Sequence, residues 1–309
     1  MITALFLLTL SVATIAPTMA ETSLCAGRRI PIDISVFSKP FANLTLGEDN
    51  GNFLLDTGAT HSWVDMRRYG VSEGSKIFLS RFSLPLVQGG VFTAADLRSF
   101  SAPRGGQLGT IGTDFLSLRA IEFHYEPSQP FAALERKACD APTLRRAGFV
   151  AVGLPGYYDA NLSRLKRGMP NVPVIGLRIG QVTFPAQVDT GYGDLPQGVV
   201  QVNAALMRIL HTTVLAHSLP SDVVTFGCSG TYTYERWQIE REELFIVSPA
   251  GDIVANYPAP LIEVKTDAHC SGISTFAEPF AQIGASWLSR WRKSVFDGLS
   301  STIWIPARR

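Results

Sequence analysis

The sequence predicts a mostly β fold of two similar lobes, and two observations lead to this expectation. One tripeptide occurs twice, as Asp56-Thr57-Gly58 and as Asp189-Thr190-Gly191. Each copy ends an apolar stretch and follows the same series of alternating strand-like residues, turn and second strand. Such self-similarity within one chain indicates two copies of one structural unit.

The composition suits a globular chain with two hydrophobic cores. Its 309 residues are 46% hydrophobic and 17% charged, and this length fits one or two domains. The formal net charge is only +1, so we expect no basic surface for nucleic acid. Neither the cysteines nor the histidines are spaced as a zinc motif. We therefore expect no nucleic acid, metal or other cofactor.

Residues 1–20 are predicted to be a secretory signal. An apolar stretch at 4–10 is followed by Thr18-Met19-Ala20, whose small residues suit cleavage before Glu21. A membrane anchor is the alternative interpretation, but the run is short for a bilayer span. We therefore expect a secreted or periplasmic protein that keeps no stable membrane anchor after cleavage.

Beyond the signal, the predicted domain boundaries follow the repeat. Residues 21–150 form the N-terminal lobe and 173–309 the C-terminal lobe. Residues 151–172, within a stretch that carries Gly, Pro and basic side chains, form the connection between them. We expect the chain to be a monomer.

Four cysteines in an exported chain suggest two disulfides. Pairing within each repeat would join Cys25 to Cys139 and Cys228 to Cys270. Such bonds would reduce the entropy of the unfolded state. The alternative is that one pair or both remain as buried thiols.

Local patterns predict individual elements. Residues 48–51 form a hairpin turn, with Asn50-Gly51 as its strongest mark. The spacing of apolar residues over 203–210 predicts a helix. A strand followed by a short helix is expected in both repeats, at 109–116 and 281–291. A closing hairpin follows each of them.

Two aspartates on equivalent loops indicate a two-fold axis between them. Because like charges so close cannot both ionise cheaply, Asp56 and Asp189 would share one proton. The ionised carboxylate can take a proton from water while the protonated one polarises a carbonyl. The Thr hydroxyls can bond across the axis, and the glycines let the backbone turn tightly. This pattern predicts a pair of catalytic aspartates.

At this point the chain resembles the pepsin-like aspartic proteases. The likeness lies in both Asp-Thr-Gly motifs with their apolar flanks and in Trp63-Val64. It also lies in the blocks at 111–116 and 283–288, the second of which is followed by Val295-Phe296-Asp297. The block at 111–116 is more similar to single-lobe proteases of the retroviral type. The motifs are spread over nearly all of the chain beyond the signal.

The resemblance implies a pepsin-like acid protease fold with pseudo-two-fold symmetry and a peptide or protein substrate. Asp56 and Asp189 would be the dyad. The residues that support it would be Thr57, Gly58, Thr190 and Gly191. The segments at 111–112 and 283–284 would pass beside the active loops. Trp63 would pack under a flap, with an ordinary core position as an equal alternative.

The sequence departs from this family at the flap and after each aspartate. The family usually has a flap tyrosine, but no Tyr lies between Gly70 and Phe123. The remaining flap candidate is the turn Gln88-Gly89-Gly90. Ser or Thr is usual three residues after each Asp, where this chain has Ala59 and the possible cleft residue Tyr192.

Two hypotheses follow. The first is an aspartic endopeptidase in which water attacks directly. The second is a pepsin-fold binding or inhibitory protein without turnover. In the enzyme, Ala59 and Tyr192 would deprive the aspartates of hydroxyl bonds that favour ionisation, which would raise the apparent pKa of the pair. We expect an optimum in mildly acidic to near-neutral conditions.

Overall fold

The structure is a computed structural model that describes residues 23–307 except for 81, 86–88, 99, 101, 194–197, 222–223, 228–229 and 267–271. At 224–227 and 230–232 only the backbone is described. The predicted signal at 1–20 and the predicted pair of Cys228 with Cys270 therefore lie outside the described residues. So does Gln88 of the flap candidate.

The first half of the chain is a series of strands with three short helices. Its elements are β1 Arg28–Asp33, β2 Phe41–Leu46, β3 Asp49–Leu55, β4 Trp63–Asp65, α1 Met66–Tyr69, β5 Lys76–Leu79, β6 Gly90–Ala95, β7 Gln107–Ile111, α2 Thr113–Leu116, β8 Ala120–His124, β9 Phe131–Glu135, α3 Ala141–Arg146 and β10 Phe149–Ala151. A short 3₁₀ turn follows at Leu162–Arg164.

The second half is likewise built mainly of strands and has more of them. Its elements are β11 Val174–Ile179, β12 Val182–Val188, β13 Val200–Asn203, α4 Ala204–Thr213, β14 Ala216–Leu219, β15 Val224–Gly227, β16 Gly230–Thr233, β17 Glu235–Ile239, β18 Leu244–Val247, β19 Ile253–Tyr257, β20 Leu261–Lys265, β21 Ala281–Ile283, α5 Ser286–Trp291, β22 Lys293–Asp297 and β23 Thr302–Pro306. A 3₁₀ turn lies at Gly272–Thr275.

Two large sheets build the molecule. The first has twelve strands in the order β10-β23-β22-β8-β9-β1-β2-β3-β7-β4-β6-β5. The second has nine in the order β14-β17-β20-β13-β21-β12-β11-β18-β19, and β15 pairs separately with β16. The predicted mostly β, two-lobed architecture is confirmed. Both closing hairpins, β8–β9 and β22–β23, lie side by side in the first sheet.

The two repeats place their Asp loops in the same way. β3 runs parallel to β7, with Leu55 opposite Ile111. β12 likewise runs parallel to β21, with Val188 opposite Ile283. Burial alternates along β2, and the last residues of β3 and β12 are all buried. These patterns determine which face of each strand packs against the core. Each Asp-Thr-Gly loop therefore leaves a buried strand at an equivalent point.

One turn differs from its prediction. β2 pairs with β3 so that Leu46 lies opposite Asp49, which makes Gly47 and Glu48 the turn residues. Gly47 has φ +64°, in the left-handed region that glycine adopts without strain. Asn50-Gly51 lies inside β3 instead. The hairpin turn predicted at 48–51 thus lies at 47–48, and the prediction of Asn50-Gly51 as its mark was wrong because Gly47 supplies the required conformation earlier.

Two other predictions are confirmed. The helix predicted over 203–210 is α4, whose first turn is capped by Asn203, where Oδ1 accepts from the Leu206 N–H at 3.0 Å. The predicted disulfide between Cys25 and Cys139 is present, with the two Cα atoms 5.1 Å apart. It joins the chain ahead of β1 to the segment ahead of α3.

An aromatic cluster ties the β5–β6 connection to the rest of the first lobe. Phe82 contacts the rings of Phe53, Phe92 and Phe115, and Phe92 contacts Phe115, with centroids 5.4 to 6.3 Å apart in these pairs. Phe82 belongs to the connection itself, and its neighbour Ser83 bonds to Thr45 near the tip of β2. Aromatic pairs of this kind add about 0.5–1.5 kcal/mol each beyond burial.

Candidate active site

The two Asp-Thr-Gly loops face each other at the centre of the molecule. The backbone N–H of Asp56 donates to the carbonyl of Ile111 at 2.9 Å. The N–H of Asp189 donates to Ile283 at the same distance. Both loops are thereby attached to the segments that the sequence placed beside them. The predicted residues of both repeats are brought together at one place.

A crossed set of hydrogen bonds joins the loops. The Thr57 hydroxyl donates to the carbonyl of Val188 at 2.6 Å and accepts from the N–H of Thr190 at 3.1 Å. The Thr190 hydroxyl donates to the carbonyl of Leu55 at 2.5 Å and accepts from the N–H of Thr57 at 2.9 Å. Both threonines are fully buried. Thr57 therefore holds the backbone beside Asp189, and Thr190 holds the backbone beside Asp56.

The glycines allow the loops to approach each other. A Cβ atom added to Gly58 would lie 2.2 Å from the Cγ of Asp189. A Cβ atom on Gly191 would lie 2.2 Å from the Oδ2 of Asp56. Any side chain at these positions would displace the opposite carboxyl group. The glycines are thus required by the closeness of the two aspartates.

Each carboxyl group is also held by its own loop. The Oδ1 of Asp56 accepts from the N–H groups of Gly58 at 2.8 Å and Ala59 at 3.1 Å. The Oδ1 of Asp189 accepts from Gly191 and Tyr192 at the same two distances. The two aspartates are therefore fixed in equivalent orientations.

Burial raises the pKa of Asp56 well above its ordinary value, and the negative charge of Asp189 adds to that rise. Burial also raises the pKa of Asp189, while its hydrogen bond with Asp56, the Gly191 N–H and the charge of Lys265 act to lower it. Because the groups are coupled, their protons belong to the pair. The arrangement favours a dyad that holds one proton.

Neither residue three positions after an aspartate, Ala59 or Tyr192, donates a hydroxyl group to that aspartate. Ala59 offers no hydroxyl, and the hydroxyl of Tyr192 donates to Oε2 of buried Glu263 at 2.9 Å. Tyr192 thus reaches away from Asp189 towards β20. The carbonyls of these two residues keep equivalent roles, since Ala59 accepts from the Thr113 N–H at 2.8 Å and Tyr192 from the Ala285 N–H at 2.9 Å.

Two braces of the first loop carry no sequence signal of their own. Ser62 is buried, and its hydroxyl donates to Asp114 at 2.7 Å while accepting from the Gly112 N–H at 2.9 Å. The Ser62 N–H also donates to Asp114, at 2.9 Å. These bonds tie the chain beyond Asp56 to the start of α2.

The predicted flap residues lie on β4, on β6 and just ahead of β6. Trp63 is 38% exposed, which is not the environment of an ordinary core aromatic. Gly90 begins β6, where a Cβ atom would lie 2.1 Å from the ring of Phe115, and Gly89 packs on Leu79. Ser83 and Phe82 attach part of the same connection to β2 and the aromatic cluster. A flap role for this hairpin stays a prediction.

Within the described part of the chain, no group of three or more His, Cys, Asp or Glu side chains could hold a metal ion. Among the same residues, no helix is both long and apolar enough to span a membrane.

Comparisons with known proteins give a loose structural likeness and no match in sequence. No protein-family model matches the chain, and no curated protein matches it. Among solved structures, basic 7S globulin from soybean is similar at a TM-score of 0.45 and 12% sequence identity, over 90% of this chain and 93% of that chain. The dyad geometry alone carries the functional proposal.

Proposed function

We propose that this protein is an exported aspartic endopeptidase in which Asp56 and Asp189 activate water for the hydrolysis of peptide bonds. The observation that supports this most strongly is the reciprocal bonding of Thr57 and Thr190, which holds the two carboxyl groups together across a pseudo-two-fold axis. A protein that only bound a ligand would not need two buried carboxyl groups in contact, since their repulsion is costly.

The proposed reaction uses one proton on the dyad. The ionised carboxylate takes a proton from the attacking water, and the protonated carboxyl group donates to the oxygen of the scissile carbonyl. The resulting tetrahedral intermediate collapses as its C–N bond breaks. The dyad gives a proton to the leaving nitrogen and takes one back from a hydroxyl group of the intermediate, so that it again holds one proton. Two backbone N–H bonds on each Oδ1 hold the carboxyl groups in place, so little reorganisation is needed during transfer.

The compartment and the domain division belong to the same proposal. The Cys25–Cys139 disulfide suits an oxidising environment, which supports export to the periplasm or the medium. A monomer with lobes at 21–150 and 173–309, joined through 151–172, would bind an extended peptide or protein between the lobes. Removal of the signal at 1–20 would leave no stable membrane anchor.

Cleavage of an unfolded protein tests the proposal. Fluorescently labelled, denatured casein is incubated with the purified chain from pH 3 to 8, and peptide release is measured. We expect release by the wild type and none by Asp56→Ala or Asp189→Ala. The control is Asp252→Ala, which removes an exposed carboxylate. No release by the wild type at any pH would contradict the proposal and favour the binding or inhibitory alternative.

A further inference from the structure

Lys39 lies opposite the first catalytic aspartate. In the antiparallel pair of β2 and β3, Phe41 is opposite Leu54. The same register continues beyond β2, because the N–H of Leu55 donates to the carbonyl of Pro40 at 3.0 Å. One further step along both chains brings Lys39 opposite Asp56. Neither the Asp-Thr-Gly motif nor its apolar flank indicates this neighbour.

Lys39 is a buried residue in the segment that precedes β2. The residue is only 7% exposed, and its Nζ lies 5.9 Å from the centre of the Phe37 ring. The Cβ of Phe37 lies 2.7 Å from the position that a Cβ on Gly193 would take. Gly193 follows Tyr192 in the second Asp loop. The segment that carries Lys39 therefore contacts both repeats.

The backbone before Lys39 is specialised for this contact. Phe37 and Ser38 both have positive φ, at 53° and 59°. A non-glycine residue in this region is uncommon, and such strain persists only where the surroundings enforce it. The resulting turn brings Phe37 across to Gly193.

The opposite repeat has no charge at the equivalent position. There the N–H of Val188 donates to the carbonyl of Pro173 at 2.9 Å, which corresponds to the bond between Leu55 and Pro40. One step further, Val172 lies opposite Asp189 and is 1% exposed. The pseudo-symmetry of the backbone is thus kept, while a cation replaces an apolar side chain on one side only.

The charges around Lys39 agree with this placement. Burial lowers the pKa of Lys39 below its ordinary value, and the charges of Asp56 and then Asp189 offset only part of that fall. Lys265 in β20 acts on Asp189 from the other side and lowers the pKa of that group. Among the described residues, the charges of Lys39, Asp56, Asp189 and Lys265 thus act on one another at this site.

We propose that Lys39 is a third ionisable member of the Asp56–Asp189 centre, a positioning residue whose positive charge favours the singly ionised dyad. The consequence for catalysis rests on the proposed function, whereas the charge coupling does not. A cation beside the carboxyl groups stabilises their ionised forms. Lys39 therefore offsets part of the burial that raises the pKa of both aspartates, and keeps the working form of the dyad available in acid.

Carboxyl titration followed by ¹³C NMR of aspartate-labelled protein tests the coupling without any assay of activity. In Lys39→Met we expect both apparent pKa values of the dyad to rise by about one unit. Lys39→Arg, which keeps the charge, should leave them near the wild-type values. Lys137→Met, which removes an exposed cation, is the control for net charge. Unchanged apparent pKa values in Lys39→Met would overturn the proposal.

A reciprocal experiment leaves Lys39 in place, so it does not depend on the folding of Lys39→Met. Coupling between two sites must act equally in both directions. With ¹³C-labelled lysine, Asp56→Asn should lower the pKa of Lys39, while Asp252→Asn should not change it. An unchanged pKa of Lys39 in Asp56→Asn would refute the coupling between Lys39 and Asp56.

A third experiment measures the pH dependence of activity. If the wild type cleaves protein, both limbs of its pH profile of kcat/KM should move to higher pH in Lys39→Met and stay in place in Lys39→Arg. Limbs that do not move in Lys39→Met would contradict the role of Lys39 in catalysis. If the wild type cleaves nothing, the proposed function fails, and the two titrations still decide whether Lys39 is coupled to the dyad.

Discussion

Thr57 and Thr190 each hold the backbone of the other's loop, with Thr190 N–H to Thr57 Oγ1 at 3.1 Å and Thr57 N–H to Thr190 Oγ1 at 2.9 Å. Each hydroxyl also donates to a carbonyl one residue before the opposite aspartate. The two repeats are therefore joined at the residue next to each carboxyl group. A small change in one threonine should alter the geometry of both aspartates.

Thr57→Val tests this lock. The valine keeps the shape of threonine but leaves the buried carbonyl of Val188 and the N–H of Thr190 without the hydroxyl. We expect a loss of about 1–3 kcal/mol in the free energy of unfolding and a fall in kcat. Thr57→Ser keeps the hydroxyl and should retain most of both. Equal stability of the two variants in urea unfolding would show that the lock is unimportant.

Ser62→Ala tests the brace of the first loop. It removes the bonds of the hydroxyl to Asp114 and Gly112 from a buried position. We expect a loss of about 1–3 kcal/mol in unfolding free energy, with kcat reduced more than KM is raised. The control is Ser163→Ala, at an exposed position. A variant with wild-type stability and kcat would contradict the role assigned to Ser62.

The contacts of Glu122 lead us to expect that the stability of the protein depends on pH. This buried carboxylate accepts from the Ser23 hydroxyl at 2.6 Å and the Leu24 N–H at 3.1 Å, and it bonds to the ring of His124. Burial alone would raise the pKa of Glu122, but these bonds outweigh it and the pKa is lowered. A lowered folded-state pKa gives stability that is present above the unfolded value and lost as pH falls through the folded one.

Glu122→Gln should therefore be less stable than the wild type at pH 7, and the difference should shrink below about pH 4, where the unfolded carboxyl group takes up its proton. Thermal unfolding at several pH values measures this difference. Glu135→Gln, on a partly buried residue at the end of β9, serves as the comparison. A difference that stays constant from pH 7 to pH 3 would contradict the assignment.

Ala59→Ser tests whether a missing hydroxyl affects the pH range. The Ala59 N–H already bonds to Oδ1 of Asp56 at 3.1 Å, so a serine hydroxyl would lie close to the same carboxyl group. A further donor favours the ionised form and lowers the pKa. We expect the acid limb of the kcat/KM profile to move to lower pH. An unchanged acid limb would show that Ala59 does not determine the pH range of activity.

Much of the fold and the site could be predicted from the sequence because repeats and binary patterns are local signals. The Asp-Thr-Gly copies, the Ile-Gly blocks and the helix after Asn203 all fall where short-range patterns placed them. The turn at Gly47 was missed because two adjacent sites could each supply a turn, and strand register decided between them. Asn50-Gly51 carried the stronger pattern but lies within β3.

Long-range contacts were beyond the sequence patterns. The position of Lys39 opposite Asp56 follows from a register that only the paired strands define. The bond between Tyr192 and Glu263 joins residues 71 positions apart, and Glu122 meets the chain near Ser23 across 99 positions. Such pairs depend on sheet order, which no motif in this chain encodes. They are also the contacts that tune the charge of buried groups.

The residual kcat/KM of Asp56→Asn, Asp189→Asn and the double variant tests most directly whether the two aspartates act as one unit. Asparagine keeps the size of the side chain but cannot share the proton. Groups that act together are strongly non-additive. We predict that each single variant loses at least about a thousandfold and that the double variant loses little more. A single variant that kept activity within about tenfold of the wild type, or losses that simply multiplied in the double variant, would contradict the account.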